Sequence, residues 1–135
     1  MEKLNENLIL FYERLNSWET EVVKDSGITL AQMHTIEIIG IYEPLIMKEL
    51  ANKLSVVMGT LTVMIKRLES MGLVLRKRNP DDLRSYQITL TEKGFEHYQD
   101  HHNHHLMLAQ EISLQLTKEE EELFNKLISK IIKHL

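Results

Sequence analysis

The chain has 135 residues, 43% of them hydrophobic, which is enough for one cooperative core and too little for two domains of ordinary size. It contains no cysteine, which excludes disulfides and thiolate sites, and no apolar run reaches the roughly 18 residues that cross a bilayer, so we expect a cytoplasmic protein with no membrane partner. The net charge is −4, yet the segment from Met47 to Arg84 holds eight basic and four acidic residues and carries +4, which leaves −8 for the rest.

The first part of the chain has the pattern of two helices. Apolar residues recur at spacings of three and four from Leu4 to Val23, which predicts a long amphipathic helix. Thr29 followed by Gln32 is a capping-box pattern, so a second helix is expected to start there and to run to about Gly40.

Two further helices are expected before the chain changes character. Pro44 suits the first turn of a third helix, Leu45 to Leu54. Ser55 offers a side-chain acceptor for the free amides of a fourth helix, Val56 to Met71.

After Gly72 the pattern becomes that of a hairpin followed by helices. Apolar residues alternate with polar ones on both sides of a charged, proline-containing stretch, which predicts a two-stranded hairpin. A long helix is expected from about Glu92 to Leu116, and Thr117 with Glu120 caps a last one that ends at Leu135. The predicted fold is mainly α with a small β-hairpin wing, in the order of four helices, a hairpin and two helices.

The fourth helix has the two faces that a DNA-reading helix needs. One arc is apolar and can hold the helix on its own domain: Val57, Leu61, Met64, Ile65 and Leu68. The other side is small or basic and contains one acid only, Glu69, at its end: Gly59, Thr62, Val63, Lys66 and Arg67. An ordinary surface helix does not explain the glycine and threonines, which are poor helix formers, so we predict that this helix enters the major groove.

The hairpin that follows is predicted to be a DNA-contacting wing. Four cations lie on or beside its tip, where they can reach phosphates or a minor groove: Arg76, Lys77, Arg78 and Arg84. Asp82 lies two residues before Arg84, and a local ion pair would aim the guanidinium.

The segment Leu54 to Gly94 closely resembles the recognition helix and wing of the MarR family of winged helix-turn-helix transcriptional regulators. The matching features are the Leu-Ser start, Gly-Thr-Leu-Thr, Arg-Leu-Glu before Gly72-Leu-Val, Asp-x-Arg at the wing, and Leu-Thr-x-x-Gly at the next helix. One departure is Ile46-Met47, where the family often has a threonine that caps the third helix.

The resemblance implies a homodimeric repressor that binds double-stranded DNA at a pseudo-palindromic operator. Residues 29–91 would form the winged-helix lobe of one MarR-like domain, 1–135, and residues 1–24 and 92–135 would be dimerisation helices; strongly apolar terminal segments also favour a partner chain. The predicted DNA-binding residues are Ser55, Met58, Gly59, Thr60, Thr62, Val63, Lys66, Arg67, Arg76, Lys77, Arg78 and Arg84, with Asp82 positioning the wing.

Seven histidines form the other unusual feature, and five of them lie between His97 and His105. His101 and His105 are four residues apart, which places both imidazoles on one helix face, where they can chelate one Zn²⁺. The Gln-x-His pattern of Gln32 and His34 resembles the zinc-responsive MarR regulators of the AdcR type, and His101 and His105 align with the ligand pair of that group when counted from the wing Asp-x-Arg. The resemblance implies a four-coordinate site of Glu21, His34, His101 and His105.

A competing similarity leaves the effector open. Gln-Met-His-Thr-Ile-Glu-Ile-Ile-Gly with Met-Gly-Thr-Leu-Thr looks like the fatty-acid-synthesis repressors of the FabT type, which respond to acylated carrier protein. The regulated genes would then concern fatty-acid synthesis or metal homeostasis. No cofactor is expected to be required for the fold. The effector could be zinc, an acylated carrier protein or a small molecule.

Two other function classes fit the sequence less well. A zinc-dependent enzyme would use His34, His101 and His105 as ligands and Glu37 as its base, but no substrate motif accompanies them and the winged helix would remain unexplained. A protein-interaction module that does not bind DNA would suit the net charge of −8 outside the segment Met47 to Arg84. It would not explain the basic face of the fourth helix. We therefore expect a regulator and not an enzyme.

Overall fold

The computed structural model describes all 135 residues, Met1–Leu135. The helices are α1 (Glu2–Val23), α2 (Leu30–Tyr42), α3 (Met47–Leu54), α4 (Met58–Ser70), α5 (Glu92–Ser113) and α6 (Lys118–Ile132). The strands are β1 (Leu45–Ile46), β2 (Val74–Arg78) and β3 (Tyr86–Leu90). This confirms the mainly α fold with a wing, and none of the helices is long and apolar enough to span a membrane.

Both predicted capping boxes are formed. The Thr29 hydroxyl accepts a hydrogen bond from the Gln32 amide at 3.1 Å, and the Gln32 side chain accepts one from the Thr29 amide at 2.9 Å. Thr117 and Glu120 form the same reciprocal pair at the start of α6. Each pair satisfies two backbone donors that a helix start leaves without intrahelical partners.

The start predicted for the third helix was wrong. Leu45 and Ile46 form a strand that pairs antiparallel with β3, in the register Leu45 to Ile88, so the predicted two-stranded hairpin is part of a three-stranded sheet with the order β1-β3-β2. Leu45 is buried there with Ile88, which a solvent-facing first helical turn would not achieve. The helix begins at Met47, and the Glu49 carboxylate accepts the Ile46 amide at 3.0 Å. The glutamate thus supplies a cap where the family often has threonine.

The junction between α3 and α4 also differs from the prediction. Ser55 does not cap α4; it ends α3 in the left-handed conformation, with φ 54°. α4 begins at Met58, with Val57 as its N-cap. Val57 is 72% exposed and does not belong to the buried arc. Residues 55–57 form the turn between α3 and α4 and therefore lie outside both helices.

The buried core joins α2, α3, α4 and the sheet. Its fully buried members come from each of these elements: Ile36, Ile39, Leu50, Leu61, Ile65, Leu68 and Ile88. The apolar arc of α4 was predicted correctly at Leu61, Ile65 and Leu68, while Met64 is half-buried. This core holds one face of α4 and leaves the opposite face outward.

A tight corner connects α4, the wing and α5. Gly72, with φ 72°, ends α4, and the Leu73 amide donates to the Leu68 carbonyl at 2.9 Å in a Schellman arrangement. The Thr91 hydroxyl donates to the Gly72 carbonyl at 2.6 Å and accepts from the Gly94 amide at 3.0 Å. Thr91 therefore links the end of the recognition helix to the start of α5.

The chain divides into two compact units, Met1–His102 and Asn103–Leu135. The first contains the sheet and α1 to α4. The second contains α6, which buries no residue and exposes a row of apolar side chains: Leu123, Phe124, Leu127, Ile131 and Ile132. α5 and α6 end at Ser113 and Ile132, a few residues earlier than predicted.

Candidate nucleic-acid interface

The outward face of α4 is small, apolar at its centre and basic along one side. Gly59 and Val63 are one turn apart opposite the buried stripe, and Lys66 and Arg67 follow in the next turn, all four exposed. Neither basic side chain has a hydrogen-bond or ion-pair partner within the chain, so both remain available to an external anion or base edge.

The other predicted DNA-contacting residues of α4 lie nearer its N-terminal end or have a hydrogen-bond partner within the helix. The Thr62 hydroxyl donates to the Met58 carbonyl at 2.9 Å, so the backbone of its own helix holds its proton. Met58 and Thr60 are exposed in the first turn, and Ser55 is exposed at the end of α3. These residues line the N-terminal end of α4, the part of a recognition helix that contacts base edges in helix-turn-helix proteins.

Two of the four predicted wing cations have hydrogen-bond or ion-pair partners within the lobe. Arg76 in β2 pairs with Glu69 of α4 at 2.7 Å, which ties the wing to the recognition helix. Arg78 donates to the Leu83 carbonyl at 2.7 Å across the wing tip. Both guanidinium groups also lie beside the Tyr86 ring, 5.5 and 5.7 Å from its centroid. Their contacts are those of residues that position the wing.

The other two wing cations, Lys77 and Arg84, are exposed and have no side-chain partner in the chain. Asp82 does not form the predicted ion pair with the Arg84 guanidinium. Its carboxylate accepts the Arg84 backbone amide at 3.0 Å, while Asn79 accepts the Asp81 amide at 3.1 Å. Such turns order the tip through its backbone and leave the Arg84 side chain available to an external anion.

A cluster of carboxylates and imidazoles lies between α1, α2 and the first half of α5. Glu19 contacts the His34 Nε2 at 2.8 Å and lies 3.8 Å from the His101 Nε2. Glu37 lies 3.5 Å from the same His101 nitrogen, and His101 is only 1% exposed. Both carboxylates therefore converge on one buried imidazole.

The structure brings Glu19 to this cluster and does not bring Glu21 there. Glu21 is largely exposed and pairs with Lys24 at 3.4 Å. Two positions on a helix differ by about 200°, so Glu19 and Glu21 point to opposite sides of α1. Sequence spacing from a distant motif does not resolve that difference. His105 follows His101 by four positions in α5 and is half-buried in the second unit.

The donor set suits a small divalent cation. Zinc bonds of about 2.0–2.2 Å at tetrahedral angles place ligand atoms about 3.3–3.6 Å apart. The separations of 3.5 and 3.8 Å between His101 and the two carboxylates are near that range and longer than a hydrogen bond. The same groups also form a network of charge-assisted hydrogen bonds when an imidazole is protonated, so the arrangement supports either role.

His34 also lines a second feature, an apolar cavity of about 150 Å³ between α2 and α4. Leu61 and Met64 of the recognition helix form the opposite wall. The His34 imidazole thus borders both the cluster of carboxylates and imidazoles and the cavity behind the recognition helix, α4.

Comparison with known proteins identifies the lobe. The family model described as MarR family matches residues 28–86. An uncharacterized HTH-type transcriptional regulator of Bacillus anthracis is 31% identical over 134 residues, which cover 94% of this chain and 85% of that protein.

Two solved structures are similar along nearly the whole chain. Streptococcus pneumoniae FabT in complex with DNA superposes with a TM-score of 0.92 at 24% identity, covering 98% of this chain and 95% of that one. Wild-type MarR of Escherichia coli, in its apo form, superposes with a TM-score of 0.77 at 29% identity, covering 95% and 96%.

Proposed function

The chain belongs to the MarR family of HTH-type transcriptional regulators, and from this we propose that it is a homodimeric repressor that reads a pseudo-palindromic DNA operator. The observation that carries the proposal is the outward face of α4, where Lys66 and Arg67 have no internal partner beside the small residue Gly59. Regulation of genes, and not catalysis, is the activity that this family membership favours. Such a regulator acts in the cytoplasm, where bacterial DNA lies.

The DNA-binding residues divide into three roles. Met58, Gly59, Thr60, Thr62, Val63, Lys66 and Arg67 face the major groove from α4, with Ser55 at its approach. Lys77 and Arg84 reach phosphates or the adjacent minor groove. Arg76, Arg78 and Asp82 hold the wing in place for them, as their internal contacts indicate. All the proposed contacts to DNA would thus be made by the lobe of residues 29–91.

Dimerisation is supported by apolar faces that a single chain leaves exposed. α1 exposes Leu4, Leu8 and Phe11 along one stripe, and each is at least 43% accessible. α6 exposes its own stripe and buries nothing. A second copy is the natural cover for such stripes, and residues 1–24 and 92–135 are the proposed dimerisation segments. Two recognition helices related by a two-fold axis then read half-sites about 10 bp apart.

The proposal is tested by selecting duplexes from a randomised pool and measuring binding of the selected duplex at several salt concentrations. A dimer should bind a two-fold symmetric site, and the affinity should fall steeply with salt because bound phosphates release counterions. The double variant K66A/R67A should lose this binding while keeping its melting temperature, since neither side chain has an internal contact. A chain that selects no duplex, or selects an asymmetric one as a monomer, contradicts the proposal.

A second proposal concerns the effector, and it rests on the buried cluster of Glu19, Glu37 and His101. We propose that this cluster takes Zn²⁺, with His34 held by Glu19 and bordering the cavity behind α4. When bound, the ion would supply charge that draws the two carboxylates together. Because His34 contacts Glu19 and borders the cavity behind α4, a change in the cluster can bias the recognition helix, provided that the two states bind zinc with different affinities.

Glu19→Gln tests the zinc site, and Glu21→Gln is its matched control on the same helix. E19Q should weaken zinc binding in calorimetry by at least about tenfold, since even outer-shell changes at metal sites cost about 10–100-fold. E21Q should not, because Glu21 lies outside the cluster. Binding should also weaken as the pH falls, because a protonated imidazole is no longer a metal ligand. Equal binding by both variants contradicts the site.

The similarity to FabT-type repressors supports a different effector, an acylated carrier protein. In that case operator binding responds to the acylated carrier protein after chelation of all metal, and the histidines serve as a polar network. Measuring operator binding with chelator, with zinc, and with the acylated and unacylated carrier protein separates the two effectors.

A further inference from the structure

The most exposed apolar side chains near the reading face are two valines of α4 and its N-cap. Val63 is 71% exposed and Val57 is 72% exposed. Val63 points directly away from the buried stripe of Leu61 and Leu68, at the centre of the outward face. Gly59 lies one turn before it, and a Cβ placed there would meet nothing within 4 Å.

The fold gives no reason for valine at position 63. β-branched residues are among the weaker helix formers, and an outward side chain adds nothing to the core. A protein interface is a poor explanation, because the cores of such interfaces are depleted in charged residues and Val63 is flanked by Lys66 and Arg67. The residue therefore points to a ligand that offers both negative charge and an apolar group.

The major groove offers such a combination at one kind of base. Thymine carries a C5-methyl group there, and it is the apolar group by which A·T and T·A pairs differ from the G·C pairs. The Thr62 hydroxyl, a hydrogen-bonding alternative on this face, already donates its proton to the Met58 carbonyl. The Thr62 hydroxyl therefore has no proton left for a base, whereas the Val63 side chain is exposed for apolar contact.

We propose that Val63, assisted by Val57 at the N-cap, reads thymine C5-methyl groups in each half-site, and that Gly59 lets the helix backbone come close enough for this contact. The inference rests on the proposed DNA-binding function. Apolar contact at these positions would then determine the preference for particular base sequences, while the exposed lysines and arginines would contribute affinity for any DNA.

The test removes the methyl group from the DNA and leaves every hydrogen-bonding group in place. In the duplex selected by the protein, each thymine of one half-site is replaced by deoxyuridine, one position at a time, and the other half-site is left unchanged, so that each test duplex lacks a single methyl group. Affinity should fall about fourfold per contacted methyl, the value of one buried CH₂ group, at one or two positions per half-site and remain unchanged elsewhere. If no replacement changes the affinity, the inference is wrong although the protein binds DNA.

The variant V63S assigns the effect to the side chain. Serine has neither of the two γ-methyl groups of valine, whereas threonine would keep one that can still contact thymine, and the exposure of position 63 keeps the fold intact, as thermal melting will verify. V63S should bind the thymine and deoxyuridine duplexes equally at the contacted position. K66A is the matched control: it should weaken both duplexes and preserve their fourfold ratio.

Failure of the assignment to Val63 and failure of the proposed DNA-binding function give different results. A V63S variant that still distinguishes the two duplexes fourfold overturns the assignment to Val63. A wild-type protein that selects no duplex at all overturns the inference together with the proposed function.

Discussion

Gly59 is the glycine of this chain that neither the backbone nor the packing requires. It lacks a positive φ, and a Cβ there would meet open space. Glycine in a helix costs up to about 1 kcal/mol relative to alanine. The proposed close approach of DNA to the helix would account for its presence in α4.

Replacing Gly59 with alanine should therefore separate stability from function. The free energy of unfolding should rise by about 0.4–1 kcal/mol, because alanine restricts the unfolded chain and suits the helix. Affinity for the selected duplex should fall by about 1–3 kcal/mol, the usual cost of forcing a methyl into a filled contact. Denaturant titration and a binding titration measure the two effects. G72A is the contrast, since alanine at φ 72° should destabilise the chain; unchanged DNA affinity of G59A would refute the close approach.

The wing cations give a second prediction at this scale. Arg84 has no internal partner, so R84A should leave the unfolding free energy within about 0.5 kcal/mol of wild type. It should weaken all duplex sequences alike and lower the salt dependence by about one phosphate contact. R67A should instead change discrimination between operator variants by about 1–3 kcal/mol per lost base contact. Uniform loss by both variants would contradict the assignment of readout to α4.

At the scale of elements, the corner between α4, β2 and α5 explains the Leu-Thr-x-x-Gly pattern found in the sequence. A Cβ at Gly94 would overlap the Leu73 carbonyl oxygen, so α5 can start this close to the strand only with glycine. Thr91 holds the same corner with hydrogen bonds to Gly72 and Gly94. The wing, the recognition helix and α5 are thereby fixed to one another.

G94A should be strongly destabilising for this reason. The backbone carbonyl must move, and overpacking of this kind costs about 1–3 kcal/mol or more. Urea unfolding followed by circular dichroism measures it, with G59A as the matched substitution that adds the same methyl in open space. If G94A were as stable as wild type, the close contact at this corner would be disproved.

The start of α3 shows where element prediction failed. Pro44 and the apolar pair after it fit a helix start by local rules, but Leu45 gains burial by pairing with Ile88, which lies far along the chain. A two-residue strand has no periodicity to detect. Long-range pairing therefore outweighed the local preference of this segment.

At the scale of the whole molecule, the exposed stripe of α6 predicts the assembly. L127K places a charge in the middle of that stripe, where Leu127 is 47% exposed in the single chain. Sedimentation should show a monomer at concentrations where the wild type is a dimer, because burying a lone charge is unfavourable. Operator affinity should drop to the non-specific range, with a Kd of about 10⁻⁴–10⁻⁶ M.

Ser129 supplies the control, since it lies about 200° from Leu127 on the same helix. S129K adds the same charge on the other face and should leave both the dimer and operator binding intact. A dimeric L127K variant would show that the stripe has another role.

The fold class, the capped starts of α2 and α6, the burial of Leu61, Ile65 and Leu68 in α4 and the family to which the chain belongs could be predicted from the sequence. These depend on local hydrogen bonding, helical periodicity and a continuous motif, all of which are written in neighbouring residues. Other features emerged only in the folded chain: Glu19 and not Glu21 reaches His34, Arg76 pairs with Glu69 of α4 while Arg78 bonds across the wing tip, and Leu45 lies in the sheet. Each of these is a choice between nearly equivalent positions or partners, and it is made by contacts between segments far apart in the chain.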